Sequence, residues 1–227
     1  MTGANYLLDN GQSKILVDCG LRQGLRYCEP VNFKPFLYEP NSIEAVFITH
    51  AHIDHIGRLP LLYKKRFRGK VYSTPPTKDF AHELLLDSEK ILSFEAKDCG
   101  EEKMYGLEEV EGLMSLWETA AYRQILKANG FEIEFYNAGH ILGSSSILIT
   151  EVKSGKRIVF SGDLGNPDTL FLQPADKISQ ADYALIESTY GGRIHENRQG
   201  RKRKQLEGRS NGAEGLRLAV VPRPPIP

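Results

Sequence analysis

The chain has 227 residues, 41% of them hydrophobic and 26% charged, with 29 basic and 29 acidic side chains. That length suits one sizeable domain with its own core, and the composition excludes wholesale disorder, collagen and coiled coil. No apolar run approaches the roughly 18 residues of a membrane span and the N-terminus lacks a signal-peptide pattern, so a cytoplasmic protein is expected.

Short β-rich runs open the chain. Asn5 to Leu8 and Lys14 to Val17 flank Asn10-Gly11, which predicts a hairpin, and Ala45 to Thr49 predicts a third strand. Lys70 to Ser73 follows as a fourth. After Pro75-Pro76, Thr77 reads as the N-cap of a helix whose Phe80, Ala81, Leu84, Leu85 and Ile91 suit one face. A second helix is predicted over Glu109 to Asn129, stopped by Gly130. Strands return at Glu132 to Tyr136, Ser146 to Thr150, Arg157 to Phe160 and Tyr183 to Ile186, with a hairpin turn at Val152 to Lys156. Strand-rich halves around helices predict a layered α/β domain. From Arg193 the composition changes. Residues 193–227 carry nine basic and three acidic side chains, which leaves the first 192 at −6. The Arg201-Lys202-Arg203-Lys204 run and the proline-rich ending predict a disordered tail. Cys19, Cys28 and Cys99 lack CxxC spacing, which argues against a disulfide framework and against a cysteine metal site.

The segment richest in chemistry is His50-Ala51-His52-Ile53-Asp54-His55-Ile56-Gly57, placed just after the third strand. Four metal-competent side chains within six residues at a strand-to-helix turn can converge on one point, whereas along a helix they would fan out. Imidazole and carboxylate ligands suit zinc and its neighbours. Two further segments, Gly139-His140-Ile141-Leu142-Gly143 and Ser161-Gly162-Asp163, each set a candidate ligand at the end of a β run beside a glycine. Arg58, Lys64, Lys65, Arg66, Arg68 and Lys70 follow His55 closely. This cluster reads equally as a phosphate-binding patch and as a solvated helix end.

The order Asp18, then HxHxDH at 50 to 55, then His140, then Asp163 resembles the metallo-β-lactamase fold, an α/β four-layer αββα sandwich that binds two metals at one sheet edge. The flanks Gly57-Arg58-Leu59-Pro60-Leu61-Leu62, Ser73-Thr74-Pro75-Pro76-Thr77, Leu84-Leu85-Leu86-Asp87-Ser88, Gly139-His140-Ile141-Leu142-Gly143-Ser144 and Glu187-Ser188-Thr189-Tyr190-Gly191 look like its β-CASP branch, nucleases that process RNA and sometimes DNA. The resemblance covers roughly residues 3 to 198. It implies one zinc on His50, His52 and His140, and a second on Asp54 and His55, with Asp163 bridging both. Asp18 would support the ligand loops, the alternative being a plain turn residue before Gly20. Glu187 would orient a ligand histidine, and Asp54 would also hold the attacking hydroxide. The implied reaction is phosphodiester hydrolysis of RNA, or of single-stranded DNA, by a metal-activated hydroxide, with Arg58, Lys64, Lys65, Arg66 and Arg68 as candidate nucleic-acid contacts. A homodimer is compatible with it.

The sequence departs from that branch after Gly191, where its members insert a second domain and then return to the lactamase fold with two further functional histidines. Here the only later histidine is His195, which matches neither. The expectation is therefore a metallo-β-lactamase-like domain over 1–192, incomplete on its C-terminal side, and a basic tail over 193–227. A weakened second metal site and a truncated, weakly active chain would follow. Two other classes remain open: a small-molecule metallohydrolase of thioesterase type, and a non-catalytic fragment that binds RNA or a partner subunit.

Overall fold

Alternation along the first strands sorts apolar side chains onto two faces, and the two faces build two cores. The computed structural model describes residues 3–22, 30–99, 102–165 and 172–189, without the side chains of residues 30, 98 and 99. The predicted tail over 193–227, His195 and Cys28 lie outside the described residues. The chain divides into two units, Met1–Glu187 and Ser188–Pro227, and every element below belongs to the first.

The first sheet runs β1 (Tyr6–Asp9), β2 (Lys14–Val17), β3 (Ile43–Phe47), β4 (Lys70–Ser73), β5 (Trp117–Thr119). The β1/β2 hairpin is antiparallel, as Asn10-Gly11 predicts, and the remaining pairs are parallel. The second sheet runs β10 (Tyr183–Leu185), β9 (Arg157–Phe160), β8 (Ser145–Glu151), β7 (Phe131–Asn137), β6 (Ile125–Ala128) and is antiparallel except at β9/β10. Ile15, Val17, Ala45 and Phe47 face the second sheet and pack on Ile133, Phe135, Ile147, Ile149 and Phe160. Leu16, Val46, Ile48 and Val71 point the other way, onto a helical layer. That layer comprises α2 (Ile53–Ile56), α3 (Leu59–Lys64), α4 (Pro75–Cys99) and α5 (Leu107–Met114), after a short α1 (Pro30–Phe33). Helices, sheet and sheet are thus three of the four layers of an αββα sandwich. Each fully buried large side chain contributes about 1.5–3 kcal/mol, so the two clusters supply the main stabilisation. No described helix is long and apolar enough to cross a membrane.

Three expectations are corrected. The helix predicted over Glu109 to Asn129 ends at Met114, and the rest forms β5 and β6, one on each sheet. Trp117 decides this. It is buried beside Val71, and its ring N–H donates to Ser73 Oγ at 2.9 Å. Gly130 is not a helix stop. With Asn129 it makes the two-residue β6–β7 turn, with φ +87° at the glycine, and Asn-Gly is the pair such hairpins favour. The long helix starts at Pro75, so Thr77 lies inside its first turn. Its buried stripe is Thr77, Ala81, Leu85, Ser88, Leu92 and Ala96, whereas Phe80 and Leu84 are 43% and 36% exposed. Two polar members made the stripe hard to see. Thr77 Oγ1 donates to the Gly143 carbonyl at 2.9 Å, and Ser88 Oγ meets Tyr105 OH at 3.2 Å.

Candidate metal centre

The turns after β3 of the first sheet and after β7 and β9 of the second bring their side chains together. Beyond Phe47 the chain bends at Thr49, is extended at His52 (φ −66°, ψ 146°) and enters the single turn of α2. Positions 50 and 52 come together there, with His50 Nε2 2.9 Å from His52 Nδ1. His140 sits on the β7–β8 turn, where Ser144 Oγ accepts from the His140 N–H at 3.0 Å and from the Ile141 N–H at 3.2 Å. Its Nε2 reaches within 3.3 Å of His52 Nδ1. Asp163 follows β9, and its Oδ2 lies 3.6 Å from His140 Nε2 and 3.9 Å from His50 Nε2. One donor atom each from His50, His52, His140 and Asp163 lies within 4.8 Å of the others. The separations bracket the roughly 3.4 Å edge of a tetrahedron with bonds of 2.0–2.1 Å, so three imidazoles and a carboxylate fit a divalent ion of the zinc type.

Asp18, 1% exposed, supports this group from behind. Its carboxylate accepts from the Thr49 N–H at 2.8 Å, from Thr49 Oγ1 at 2.8 Å and from His55 Nδ1 at 2.7 Å. His55 Nε2 in turn lies 3.4 Å from Asp163 Oδ1. Burial opposes a charge on His55, but the Asp18 carboxylate, then Asp163 and Asp54, outweigh it and push its pKa up to about 10. His50 goes the other way: burial, then the neighbouring His55, His52 and His140, hold it well below the usual histidine range. His52 is lowered by burial and by His140. The His55 contact holds Asp163 below the usual carboxylate range. A neutral His50 and His52 beside an ionised Asp163 suit a cation, whereas His55 would have to give up its Nε2 proton before it could ligate one.

Among the sequence-predicted ligands, the structure brings His50, His52, His140 and Asp163 into one set, and places His55 at its margin. Asp54, half-buried in the first turn of α2, is outside the set, although its charge is felt at His52 and His55. Glu187 Oε1 accepts the Leu164 N–H at 3.0 Å, and the Glu187 N–H donates to Ser161 Oγ at 3.0 Å, which fastens the loop carrying Asp163. Of the basic cluster, Arg58 stacks 4.3 Å over Phe36 and donates to the Lys34 carbonyl, Lys64 donates to the Met104 carbonyl, and Arg68 stacks over Tyr63. Lys64 and Lys65 line a cavity of about 490 Å³ together with Lys34, Phe36, Tyr38 and Met104. Cys19, beside Asp18, is a free thiol that burial pushes up to about 12, which leaves it inert.

Two glycines let the loops seat on one another. The Cys19 N–H donates to the His55 carbonyl at 2.8 Å and the Leu21 N–H to Ile53 at 2.9 Å, so a Cβ on the intervening Gly20 would overlap the Asp54 carbonyl. Gly165 stands likewise against the Gly139 carbonyl, its N–H donating to Ala138 at 2.9 Å. Gly20→Ala is expected to cost about 3 kcal/mol, the upper range for overpacking, as read by urea denaturation. The sequence reading missed Thr49 and Ser144. Their one signal is a hydroxyl residue one position before a motif histidine and four after another.

The family described as "Metallo-beta-lactamase superfamily" matches residues 2–207. Ribonuclease TTHA0252 of Thermus thermophilus is 35% identical over 195 residues, which are 86% of this chain and 42% of that protein. Transcription termination factor FttA of Methanosarcina mazei is 36% identical over 194 residues, 82% of this chain and 29% of that protein. Cleavage and polyadenylation specificity factor 73 of Drosophila melanogaster is 32% identical over 200 residues, 87% of this chain and 28% of that protein. The chain spans less than half the length of each of these relatives.

Proposed function

The chain belongs to the metallo-beta-lactamase superfamily, and from that premise we propose that it is a metal-dependent hydrolase cleaving RNA phosphodiesters, in the manner of the β-CASP RNA-processing nucleases among its relatives. The observation that carries the reading is the convergence of His50, His52, His140 and Asp163 within 4.8 Å. Zinc is the ion proposed, on ligand type. His55 and Asp54, together with Asp163, are proposed as the residues that would hold a second ion, supported by the 3.4 Å approach of His55 Nε2 to Asp163 Oδ1. When bound, the metal supplies Lewis-acid activation of water and neutralises charge on the phosphoryl oxygens.

The chain's own residues do the rest. Asp18 holds His55 by its Nδ1 and so aims Nε2 at Asp163. Asp54 is proposed to take a hydrogen bond from the attacking water, which fixes its direction. Glu187 acts through the backbone of Leu164, keeping Asp163 in place. For RNA affinity, Lys65 and Arg66, both exposed, are the proposed phosphate contacts, because Arg58, Lys64 and Arg68 are engaged with the protein's own carbonyls and rings. Single-stranded DNA is the alternative polymer.

The test is cleavage of end-labelled single-stranded RNA by the zinc-loaded chain. Cleavage that disappears on chelation and returns with added zinc is the expected result. A purified chain that holds no metal, or RNA that stays intact under every metal condition, would overturn the reading.

A further inference from the structure

One buried hydroxyl stands between the two halves of the metal centre. Thr49 is 1% exposed, and its Oγ1 lies 2.8 Å from Asp18 Oδ2, 3.1 Å from His50 Nδ1 and 3.2 Å from His55 Nδ1. A threonine hydroxyl has one proton to give and two lone pairs with which to accept. Asp18 is the nearest of the three partners. Its carboxylate also takes the Thr49 N–H and the His55 Nδ1 proton, so it serves as acceptor throughout and claims the hydroxyl proton. His50 Nδ1 then meets an oxygen with no proton left. Two lone pairs facing each other at 3.1 Å inside the protein would leave His50 unsatisfied, at the cost that attends any buried unpaired polar atom. The arrangement is satisfied in one way only: His50 carries its proton on Nδ1 and donates it to Thr49.

We infer that Thr49 is a positioning residue, whose hydroxyl passes its proton to Asp18 and accepts the Nδ1 proton of His50, so that the His50 lone pair sits on Nε2. That nitrogen is the one 2.9 Å from His52 Nδ1 and 3.9 Å from Asp163 Oδ2. Asp18 thereby sets both histidines, His55 directly and His50 through Thr49, and a single carboxylate orients two imidazoles. A neutral imidazole with the wrong tautomer would present an N–H to the cation, and binding would first require the proton to move. The main chain of Thr49 is held independently, its carbonyl accepting from the Ser145 N–H at 2.7 Å and from Ser145 Oγ at 3.0 Å, so loss of the hydroxyl leaves the backbone fastened.

The inference rests on the metal-centre reading, and the test separates the two. Thr49→Val keeps the shape and removes the hydroxyl, whereas Thr49→Ser keeps the hydroxyl and removes the methyl. Zinc affinity is measured by competition with a chromophoric chelator, and the imidazole nitrogen shifts of metal-free, 15N-labelled protein report the tautomers. Expected are a ~10- to 100-fold weaker zinc affinity in Thr49→Val, affinity near wild type in Thr49→Ser, and a His50 protonated on Nδ1 in the wild type. Wild-type zinc affinity in Thr49→Val would overturn the inference, as would equal weakening in both variants, which would point to packing of the methyl. A wild-type His50 protonated on Nε2 overturns it even if Thr49→Val fails to fold. Should the wild type bind no zinc, the metal-centre reading falls, and the nitrogen shifts still decide the role of Thr49.

Discussion

Asp163→Ala is expected to lower RNA cleavage by about three orders of magnitude or more, equivalent to ~4 kcal/mol of transition-state stabilisation. Among the described residues, its carboxylate is the one acidic group close to the donor nitrogens of His50, His55 and His140 at once, with separations of 3.9, 3.4 and 3.6 Å. Without it, neighbouring imidazoles lose the anion that makes a shared cation favourable. The contact that holds Asp163 below the normal carboxylate range disappears too. Single-turnover cleavage at saturating zinc, with metal content measured on the same sample, checks both consequences. Retention of wild-type cleavage with two ions still bound would mean that the reaction centre lies elsewhere.

Replacement of Asp18 by alanine should destabilise the metal-free protein by roughly 3–5 kcal/mol. Three donors would be left facing a cavity, among them a His55 whose pKa of about 10 depends first on Asp18 among its acidic neighbours. The backbone adds to the loss. Asp18 has φ +57°, a left-handed conformation that aspartate and asparagine tolerate and alanine resists by about 1–2 kcal/mol. Asp18→Gly removes the carboxylate without that strain, so it should recover part of the deficit. Urea denaturation of the three proteins separates the contributions. If Asp18→Ala and wild type unfold at the same urea concentration, the network contributes nothing to stability.

Histidines and carboxylates at strand ends make most of the site legible in the sequence, because few other arrangements place four such side chains at three β-run ends, two of those ends carrying an adjacent glycine. The strands were legible for a similar reason: β2, β4 and β9 are apolar runs bounded by turn residues, and their limits match. In residues 115–128 helical and strand patterns overlap, which hides β5 and β6, although Asn129-Gly130 carries the same hairpin signal as Asn10-Gly11. Hydroxyl residues escape notice because serine and threonine are common everywhere. Nothing in composition says that Thr49 is buried against Asp18, or that Ser144 holds the His140 turn. The basic cluster is a different case. Charge is visible in a sequence, but whether Arg58 meets a phosphate or the Phe36 ring depends on a contact made across the fold.

The seating of Gly20 against Asp54, and of Gly165 against Gly139, bears on how the centre responds to mutation and to the arrival of an ion. Main chain lies on main chain at both contacts, joined by hydrogen bonds from Cys19, Leu21 and Gly165, so the donor-bearing loops have little freedom left to lose. Ion capture then demands little ordering of the chain, and affinity is governed by charge and tautomer more than by loop closure. It follows that a screen for variants with altered metal affinity should recover changes at these two glycines, positions that contribute no ligand atom yet set the spacing between those that do.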